Sequence, residues 1–223
     1  MPRFFPRLAV ALLLSLAATA ATATPDEAVV VGLDSPASAR QTAVFAGGCF
    51  WGVEAVFEHV RGVLDVRSGY AGGRVARPSY GEVSDGDTGH AESVEVVYDP
   101  AQVSYGELLS VFFTVAHDPT QRNRQGPDTG TQYRSAIFYR TPAQQRAAQA
   151  YVQRLAAGKA FGGKPVVTQI APLQAFWPAE DYHQDFARLN PNHPYIRYWD
   201  APKLVDLQKR LPRLYRAEGL ASR

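Results

Sequence analysis

The sequence predicts an α+β fold: a mostly antiparallel or mixed sheet with packed helices, forming a two-layer, ferredoxin-like core that is followed by a long coiled C-terminal tail. Two observations predict it. Segments with the period of a strand and segments with the period of a helix alternate irregularly, with two strand-like segments in succession and no internal repeat. The 223 residues are 46% hydrophobic, which suffices for one core but is short for two independent domains.

The first 23 residues have the pattern of a secretory signal peptide. Arg3 and Arg7 give a positive start, an apolar run covers 8–18, and Ala21-Thr-Ala23 is a small-residue cleavage site. The alternative is an uncleaved membrane anchor, but the apolar run is shorter than the roughly 20 residues that a span needs. We therefore expect an exported protein, in the periplasm of a Gram-negative bacterium, without stable membrane association after cleavage.

The rest of the chain divides into three parts. Residues 24–40 are rich in Ala, Pro, Ser and Asp and predict a flexible lead-in, 41–198 form the predicted catalytic domain, and 199–223 form a C-terminal extension. Cleavage removes two of the 23 Lys and Arg residues and leaves 21 against 21 Asp and Glu, a net charge near zero. No basic stripe is present, so the sequence argues against a nucleic-acid partner, and we expect a monomer.

The first strand and helix meet at the chain's one cysteine. Residues 42–46 predict a short buried strand that ends at Gly47-Gly48. Apolar residues at helical spacing then follow at Phe50, Val53, Phe57 and Val60. Cys49 is therefore expected at the N-terminus of a helix.

The later segments complete the predicted pattern. Strands are expected at 63–70, 92–98, 133–140 and 166–170. Helices are expected from the Ser104–Glu107 capping box to Ala116, from the Thr141 cap to Gly158, at 180–189 and at 203–211. A glycine-rich loop follows the second strand, and a turn-rich loop occupies 117–132.

The position of Cys49 favours a reactive thiol. The helix dipole and unpaired backbone N–H groups stabilise a thiolate there, which predicts a lowered pKa. A lone cysteine is more often a small buried hydrophobic residue, but the Gly-Gly-Cys-Phe-Trp-Gly setting favours function. Phe50 and Trp51 are adjacent and cannot both face one core stripe, so one of them is free to line a pocket.

Glu92 is the candidate acid. Period-two alternation places it with Val94 and Val96 on the core side of a strand, whereas Glu95 lies on the opposite, solvated face. Desolvation favours the neutral form of a buried carboxyl group, as a proton donor requires. The alternative is a solvated glutamate at a strand end.

These residues resemble the peptide methionine sulfoxide reductase A family. The similarity spans about residues 42–198 and covers six motifs in the family's order. The motifs are Gly47-Gly-Cys-Phe-Trp-Gly52, Ser68-Gly-Tyr-Ala-Gly-Gly73, Gly89-His-Ala-Glu92, His117-Asp-Pro-Thr, Gln132-Tyr-Arg-Ser135 and Glu180-Asp-Tyr-His-Gln184.

The resemblance implies a role for each matched residue in reducing methionine sulfoxide, of the S epimer, to methionine. Cys49 attacks the sulfoxide sulfur and becomes a sulfenic acid, while Glu92 protonates the oxygen. The other implied site residues are the oxygen-binding Tyr80 and Tyr133, the network acid Asp128, and the methyl pocket Phe50 and Trp51.

One departure from the family pattern concerns regeneration. Many relatives carry further cysteines near the C-terminus that resolve the sulfenic acid, but the corresponding Asn190-Pro-Asn-His-Pro-Tyr195 contains none, and Cys49 is the only cysteine. The resemblance therefore implies an external thiol: thioredoxin, glutaredoxin or a small thiol. No bound cofactor is expected, and the expected substrates are oxidised proteins or peptides and free methionine sulfoxide.

Two other classes of function stay open on the residues alone. A cysteine hydrolase or acyl transferase would pair Cys49 with one of the five histidines, His59, His90, His117, His183 or His193. A non-catalytic thiol sensor would keep Cys49 without needing Glu92. No metal site is expected, because one cysteine and scattered histidines lack ligand spacing.

Overall fold

The computed structural model describes Met1 and residues 40–220, so the predictions for 1–23 and nearly all of 24–40 lie outside the described residues. The strands are β1 Gln41–Gly47, β2 Val63–Ala71, β3 Ala91–Tyr98, β4 Arg124–Gln125, β5 Asp128–Thr129, β6 Ser135–Tyr139, β7 Gln169–Pro172 and β8 Phe176–Pro178. The helices are α1 Phe50–Glu58, α2 Tyr80–Ser84, α3 Tyr105–Val111, α4 Pro142–Ala157, α5 Phe186–Leu189 and α6 Ala201–Arg210.

Six strands form one sheet in the order β7-β6-β1-β3-β2-β8, and β4 pairs with β5 in a small hairpin. All pairs in the large sheet are antiparallel except β6 with β7. The predicted α+β class with a mostly antiparallel, mixed sheet is therefore confirmed. The order places β1, which leads into Cys49, and β3, which carries Glu92, side by side at the centre of the sheet.

The main core lies between one face of this sheet and the helices. Phe45 of β1 stacks on Phe57 of α1 at 5.1 Å between ring centroids and on Phe112 at 4.9 Å. The other face carries small side chains, among them Ala46 and Ala136, that pack with Phe138 in a second cluster. Helix α1 is thus fixed along its length, and so is its N-terminus.

Local capping signals predicted the helix boundaries well. The Ser104–Glu107 capping box forms with both reciprocal bonds, and α3 continues as a π-helical turn to Ala116. Thr141 accepts the N–H of Gln144, and α4 ends before Gly158. These signals depend on residues within one turn of each other, which explains their accuracy.

Several predicted boundaries were wrong. The strand predicted at 166–170 is shifted to β7, and Tyr133 lies in a 3-10 turn before β6. The helix predicted at 180–189 is a 3-10 turn and a short α5, separated by the left-handed Asp185 at φ 55°. Helix α2, strand β8 and the β4–β5 hairpin were missed, because short elements carry too few residues for a clear period.

The C-terminal tail packs back onto the domain. A π-helical turn at Ile196–Asp200 leads into α6, which contacts α1 and the turn at Phe112–Ala116. The predicted helix at 203–211 is confirmed within two residues. Across residues 40–220, no helix has the length and apolar character that crossing a membrane would require.

Candidate active site

Cys49 occupies the turn between β1 and α1, as predicted. It is the N-cap residue of α1, and the backbone N–H of Trp51 acts to lower the pKa of its thiol. Gly48 before it has φ +91°, and a Cβ there would overlap the side chain of Gln125. Glycine is therefore required both for the turn and for the close approach of the β4 strand.

Glu92 faces the same helix N-terminus from the neighbouring strand. Its Oε2 accepts the backbone N–H of Phe50 at 3.0 Å, and the side chain is buried. Burial raises the pKa of Glu92 to about 8, although the Phe50 N–H opposes the shift. The predicted orientation of Glu92 is confirmed, and Glu95 is half-exposed on the opposite face, where it pairs with Arg140. At neutral pH the Glu92 carboxyl group carries a proton.

The lowered pKa predicted for Cys49 is wrong for the free protein. Desolvation is the largest cause and raises the pKa of the thiol well above its usual value, and the charge of Glu92 raises it further. The Trp51 N–H and the Lys203 ammonium act in the opposite direction but are outweighed. The helix N-terminus favours the thiolate, as expected, while the surrounding tertiary structure keeps the resting group protonated.

The two predicted tyrosines converge on Glu92. Tyr80 opens α2, and its backbone N–H donates to Glu180 Oε1 at 2.8 Å. Burial raises the pKa of the Tyr80 and Tyr133 hydroxyls, and the charge of Glu92 is the next cause for both. Both hydroxyls therefore remain protonated donors at neutral pH.

Asp128 also joins the site, through a partner that the sequence did not reveal. The hydroxyl of Tyr195 donates a short hydrogen bond to Asp128 Oδ2. Burial raises the pKa of Asp128, while this bond and Lys203 lower it. The charge of Asp128 in turn raises the pKa of Glu92. Asp128 is thus part of the network that keeps Glu92 neutral.

Phe50 and Trp51 differ in burial, as their adjacent positions on α1 predict. Phe50 is buried against Tyr70, whereas Trp51 is half-buried. The Trp51 ring stacks on Phe186 at 3.8 Å, and its indole N–H donates to His183 Nδ1 at 3.1 Å. The Trp51 ring is therefore fixed in position and in rotation.

Glu180 and His183 were missed as site residues, although both lie in a motif that the sequence had singled out. Glu180 accepts the Tyr70 hydroxyl at 2.8 Å as well as the Tyr80 N–H, and so ties α2 to β2. His183 is buried and contacts the rings of Phe50, Trp51 and Tyr80. Only their membership of the Glu180–Gln184 motif could have identified them from the sequence. The two hydrogen bonds of Glu180 join residues that are far apart along the chain.

Three of the five histidines are engaged by hydrogen bonds away from Cys49. His59 Nδ1 lies 2.8 Å from Ala55 O, and both ring nitrogens of His90 and of His117 have hydrogen-bonding partners. Burial lowers the pKa of His117 to about 4. Within residues 40–220, no hydrogen bond joins Cys49 to a histidine, so the geometry does not favour the cysteine hydrolase hypothesis.

An ion pair from the C-terminal segment covers the other side of the first turn of α1. Asp200 Oδ1 accepts from Lys203 Nζ at 3.0 Å, and the Asp200 side chain is 1% exposed. A Cβ on Gly52 would overlap Asp200 Oδ1 and lie 2.6 Å from Lys203 Nζ. The last glycine of the Gly47–Gly52 motif therefore makes room for this pair. Sequence analysis identified neither Asp200 nor Lys203.

Fold and site together define a class of protein: an α+β thiol-dependent enzyme in which a cysteine at a helix N-terminus lies near a neutral carboxylic acid, two tyrosines and a group of packed aromatic rings. Residues 41–213 match the model of the family described as peptide methionine sulfoxide reductase. The chain belongs to this family.

Individual relatives agree with this assignment. A peptide methionine sulfoxide reductase MsrA 2 of Synechocystis sp. is 58% identical over 181 residues, which is 81% of this chain and 84% of the relative. A peptide methionine sulfoxide reductase MsrA of Thermus thermophilus is 48% identical over 177 residues, 79% of this chain and 98% of the relative.

Solved structures agree as well. The reduced form of Mxr1 from Saccharomyces cerevisiae superposes with a TM-score of 0.64 at 32% identity, and the match covers 80% of this chain and 93% of Mxr1. Methionine sulfoxide reductase A of Corynebacterium diphtheriae gives a TM-score of 0.62 at 41% identity, covering 72% of this chain and 79% of that one.

Proposed function

We propose that the protein reduces methionine sulfoxide, in its S form, to methionine, with Cys49 as the nucleophile and Glu92 as the acid. The observation that carries the proposal is the shared helix N-terminus: Cys49 is the N-cap residue of α1, and the next residue, Phe50, donates its N–H to Glu92 Oε2. The nucleophile and the proton donor are thus held beside each other at the start of one helix. Family membership supplies the substrate.

The proton inventory of the step follows from the two raised pKa values. Both the thiol and the Glu92 carboxyl group start protonated at neutral pH. As the Cys49 sulfur attacks the sulfoxide sulfur, an S–S bond forms, and Glu92 gives its proton to the sulfoxide oxygen and recovers one from the thiol. The resulting hydroxyl group then passes to the Cys49 sulfur, as the S–O bond of the substrate and the S–S bond both break. Methionine and a Cys49 sulfenic acid result, with no net change in charge. Tyr80 and Tyr133 donate hydrogen bonds to the oxygen as charge develops on it.

The substrate's methyl group is assigned to the pocket of Phe50 and Trp51. The Trp51 ring is held by Phe186 on one face and by His183 at its N–H. A fixed indole offers a flat apolar wall, and such a wall suits a polarisable methylthio group. The two sulfoxide epimers are distinguished because, with the methyl group in this pocket, only one of them directs its oxygen toward the hydroxyls of Tyr80 and Tyr133.

Regeneration is assigned to an external thiol, in the form of thioredoxin, glutaredoxin or a small thiol. Cys49 is the only cysteine of the chain, so no disulfide can form within it. Two thiols reduce the sulfenic acid in succession, releasing water and a disulfide.

We also assign export to the 23-residue N-terminal segment, and a mature N-terminus near Thr24 in a periplasmic extract would support that assignment.

The test is a comparison of turnover with and without a thiol. Without any reductant, the protein should release one methionine per chain from the S sulfoxide and then stop. With dithiothreitol or thioredoxin it should turn over repeatedly. No methionine under either condition, or equal use of the R sulfoxide, would contradict the proposal.

A further inference from the structure

The described acidic groups around Cys49 pose a problem for regeneration. Asp128 raises the pKa of Glu92, and Asp200 raises the pKa of the Cys49 thiol, each through its charge. The attacking group in thiol chemistry is a thiolate, which is an anion. Negative charge near the target sulfur repels such an anion in a poorly solvated site.

One cation lies close to this sulfur. Lys203 Nζ lies against the backbone of Gly52, three residues or about 4.5 Å along the helix axis from Cys49. Its charge acts on the Cys49 thiol and on Asp128. The Lys203 side chain is 20% exposed, so its ammonium group is in contact with solvent as well as with the site.

Asp200 fixes Lys203 in this place. The two residues form an (i, i+3) pair at 3.0 Å across the start of α6, with the carboxylate enclosed between α6 and α1. Asp200 Oδ2 has no hydrogen-bond partner among residues 40–220, although it is inaccessible to solvent. A buried carboxylate with an unused oxygen is costly unless its charge is compensated, and here the Lys203 ammonium group compensates it beside the helix N-terminus.

We propose that Lys203, held by Asp200, is the anion subsite that receives the thiolate of the external reductant. This inference rests on the proposed function. The incoming thiolate RS⁻ attacks the Cys49 sulfenic sulfur, an S–S bond forms, the S–O bond breaks, and the oxygen leaves as water with a proton from the site or solvent. A second thiolate then attacks the sulfur that carries R in the mixed disulfide, so that the disulfide RSSR forms, the bond to Cys49 breaks, and Cys49 leaves as a thiolate that takes up a proton. Two thiols are oxidised and one sulfenic acid is reduced.

The charge balance separates this role from the first half-reaction. Reduction of the sulfoxide begins and ends with a neutral Cys49–Glu92 pair, so loss of the Lys203 charge should alter it little. Regeneration brings an additional anion into the site, so loss of that charge should slow it. Lys203 is therefore expected to affect one half-reaction selectively.

The experiment measures both half-reactions separately on the full chain. Methionine release is followed with no thiol present, and the Cys49 sulfenic acid so formed is then mixed with 2-mercaptoethanol. Its disappearance is followed by mass spectrometry after trapping with a sulfenic-acid reagent. The variants are Lys203→Met, Lys203→Arg and Asp200→Asn, with Lys209→Met on the exposed side of α6 as the matched control.

Lys203→Met should lower the rate constant for the reaction of the sulfenic acid with the thiolate by about tenfold. It should change the rate of methionine release less than threefold. Lys203→Arg should restore most of the loss, and Lys209→Met should match the parent chain. Asp200→Asn should slow regeneration less than Lys203→Met does, because the neutral amide holds the ammonium group less firmly while the positive charge itself is kept. Equal losses in both half-reactions, or faster regeneration in Asp200→Asn, would overturn the subsite.

The outcome also distinguishes this inference from the proposed function. Normal methionine release with unchanged regeneration in Lys203→Met would overturn the subsite alone. A parent chain that releases no methionine would overturn the proposed function itself.

Discussion

Two buried glutamates with raised pKa values lie at opposite ends of α1, and only one of them is placed for catalysis. Glu92 at the N-terminal end has a pKa raised to about 8, mainly by burial, and faces the Cys49 thiol. Glu58 at the C-terminal end has a pKa raised to about 9, also mainly by burial. Its neighbours are Glu54 and Asp185, whose carboxylate oxygens lie within 4.8 Å of its own.

The carboxylate cluster of Glu54, Glu58 and Asp185 has a structural role. Asp185 is the left-handed residue that separates the 3-10 turn from α5, and its N–H donates to Glu54 Oε2 at 3.1 Å. Asp185 also pairs with Arg188 at 2.9 Å. This anchoring places His183 and Phe186, on either side of the break, against the ring of Trp51. A raised pKa therefore does not define a catalytic acid; proximity to the nucleophile does.

The largest effect is expected at the nucleophile. Cys49→Ser should abolish turnover, because the alkoxide of serine is not accessible at neutral pH and the chain has no other thiol. Methionine release should fall below detection, while the circular dichroism spectrum and the thermal midpoint stay close to those of the parent chain. Measurable turnover in this variant would place the nucleophile elsewhere.

The next effect tests the two glutamates against each other. Glu92→Gln keeps the shape and a hydrogen-bonding side chain but cannot supply a proton, so the single-turnover rate of methionine release should fall by about a hundredfold or more. Glu58→Gln makes the same chemical change at the other end of α1 and should retain the rate within about twofold. Comparable losses in the two variants would mean that both act through the fold.

The raised pKa of Glu92 should also lower the free energy of unfolding at neutral pH. Its pKa is about 8 in the folded protein against 4.5 normally, so the folded state binds a proton that the unfolded state releases between these values. Stability thus declines as pH rises from about 4.5 to about 8, and at pH 7 the cost is roughly 3 kcal/mol. Glu92→Gln should recover a large part of it in urea unfolding at pH 7 and less at pH 5. A destabilised variant at pH 7 would contradict this reasoning.

The smallest effect concerns the fixed tryptophan. His183→Phe keeps the aromatic packing but removes the acceptor of the Trp51 N–H, so the indole gains rotational freedom. We expect KM for methionine sulfoxide to rise about fivefold, the equivalent of one hydrogen bond of about 1 kcal/mol, with a smaller change in kcat. A fall in kcat without a change in KM would assign His183 to the chemical step.

The sequence allowed accurate prediction where the cause is local. Alternation along β3 predicted the orientation of Glu92, and the capping residues Ser104 and Thr141 predicted two helix starts, since each depends on neighbouring residues. The position of Cys49 was likewise predicted from the run before it and the helical period after it. The roles of Tyr80, Tyr133 and Asp128 came from the family resemblance and not from their local patterns.

Prediction failed where distant segments meet. Tyr195 bonds to Asp128 across 67 positions, and Glu180 bonds to Tyr80 across 100, so no local pattern reveals either contact. The pKa of Cys49 was predicted with the wrong sign for the same reason. The helix dipole that lowers it can be read from the sequence, but the desolvation that raises it arises from tertiary packing.

The pH dependence of the single-turnover step tests the central claim most directly, namely that the neutral Glu92 donates the proton. Methionine release without thiol should be constant below pH 8 and fall about tenfold per pH unit above it, because the carboxyl group loses its proton there. In Glu92→Gln this decline should be absent and the rate should be low throughout. A parent rate that rises through pH 8, or the same decline in Glu92→Gln, would contradict the assignment of Glu92 as the acid.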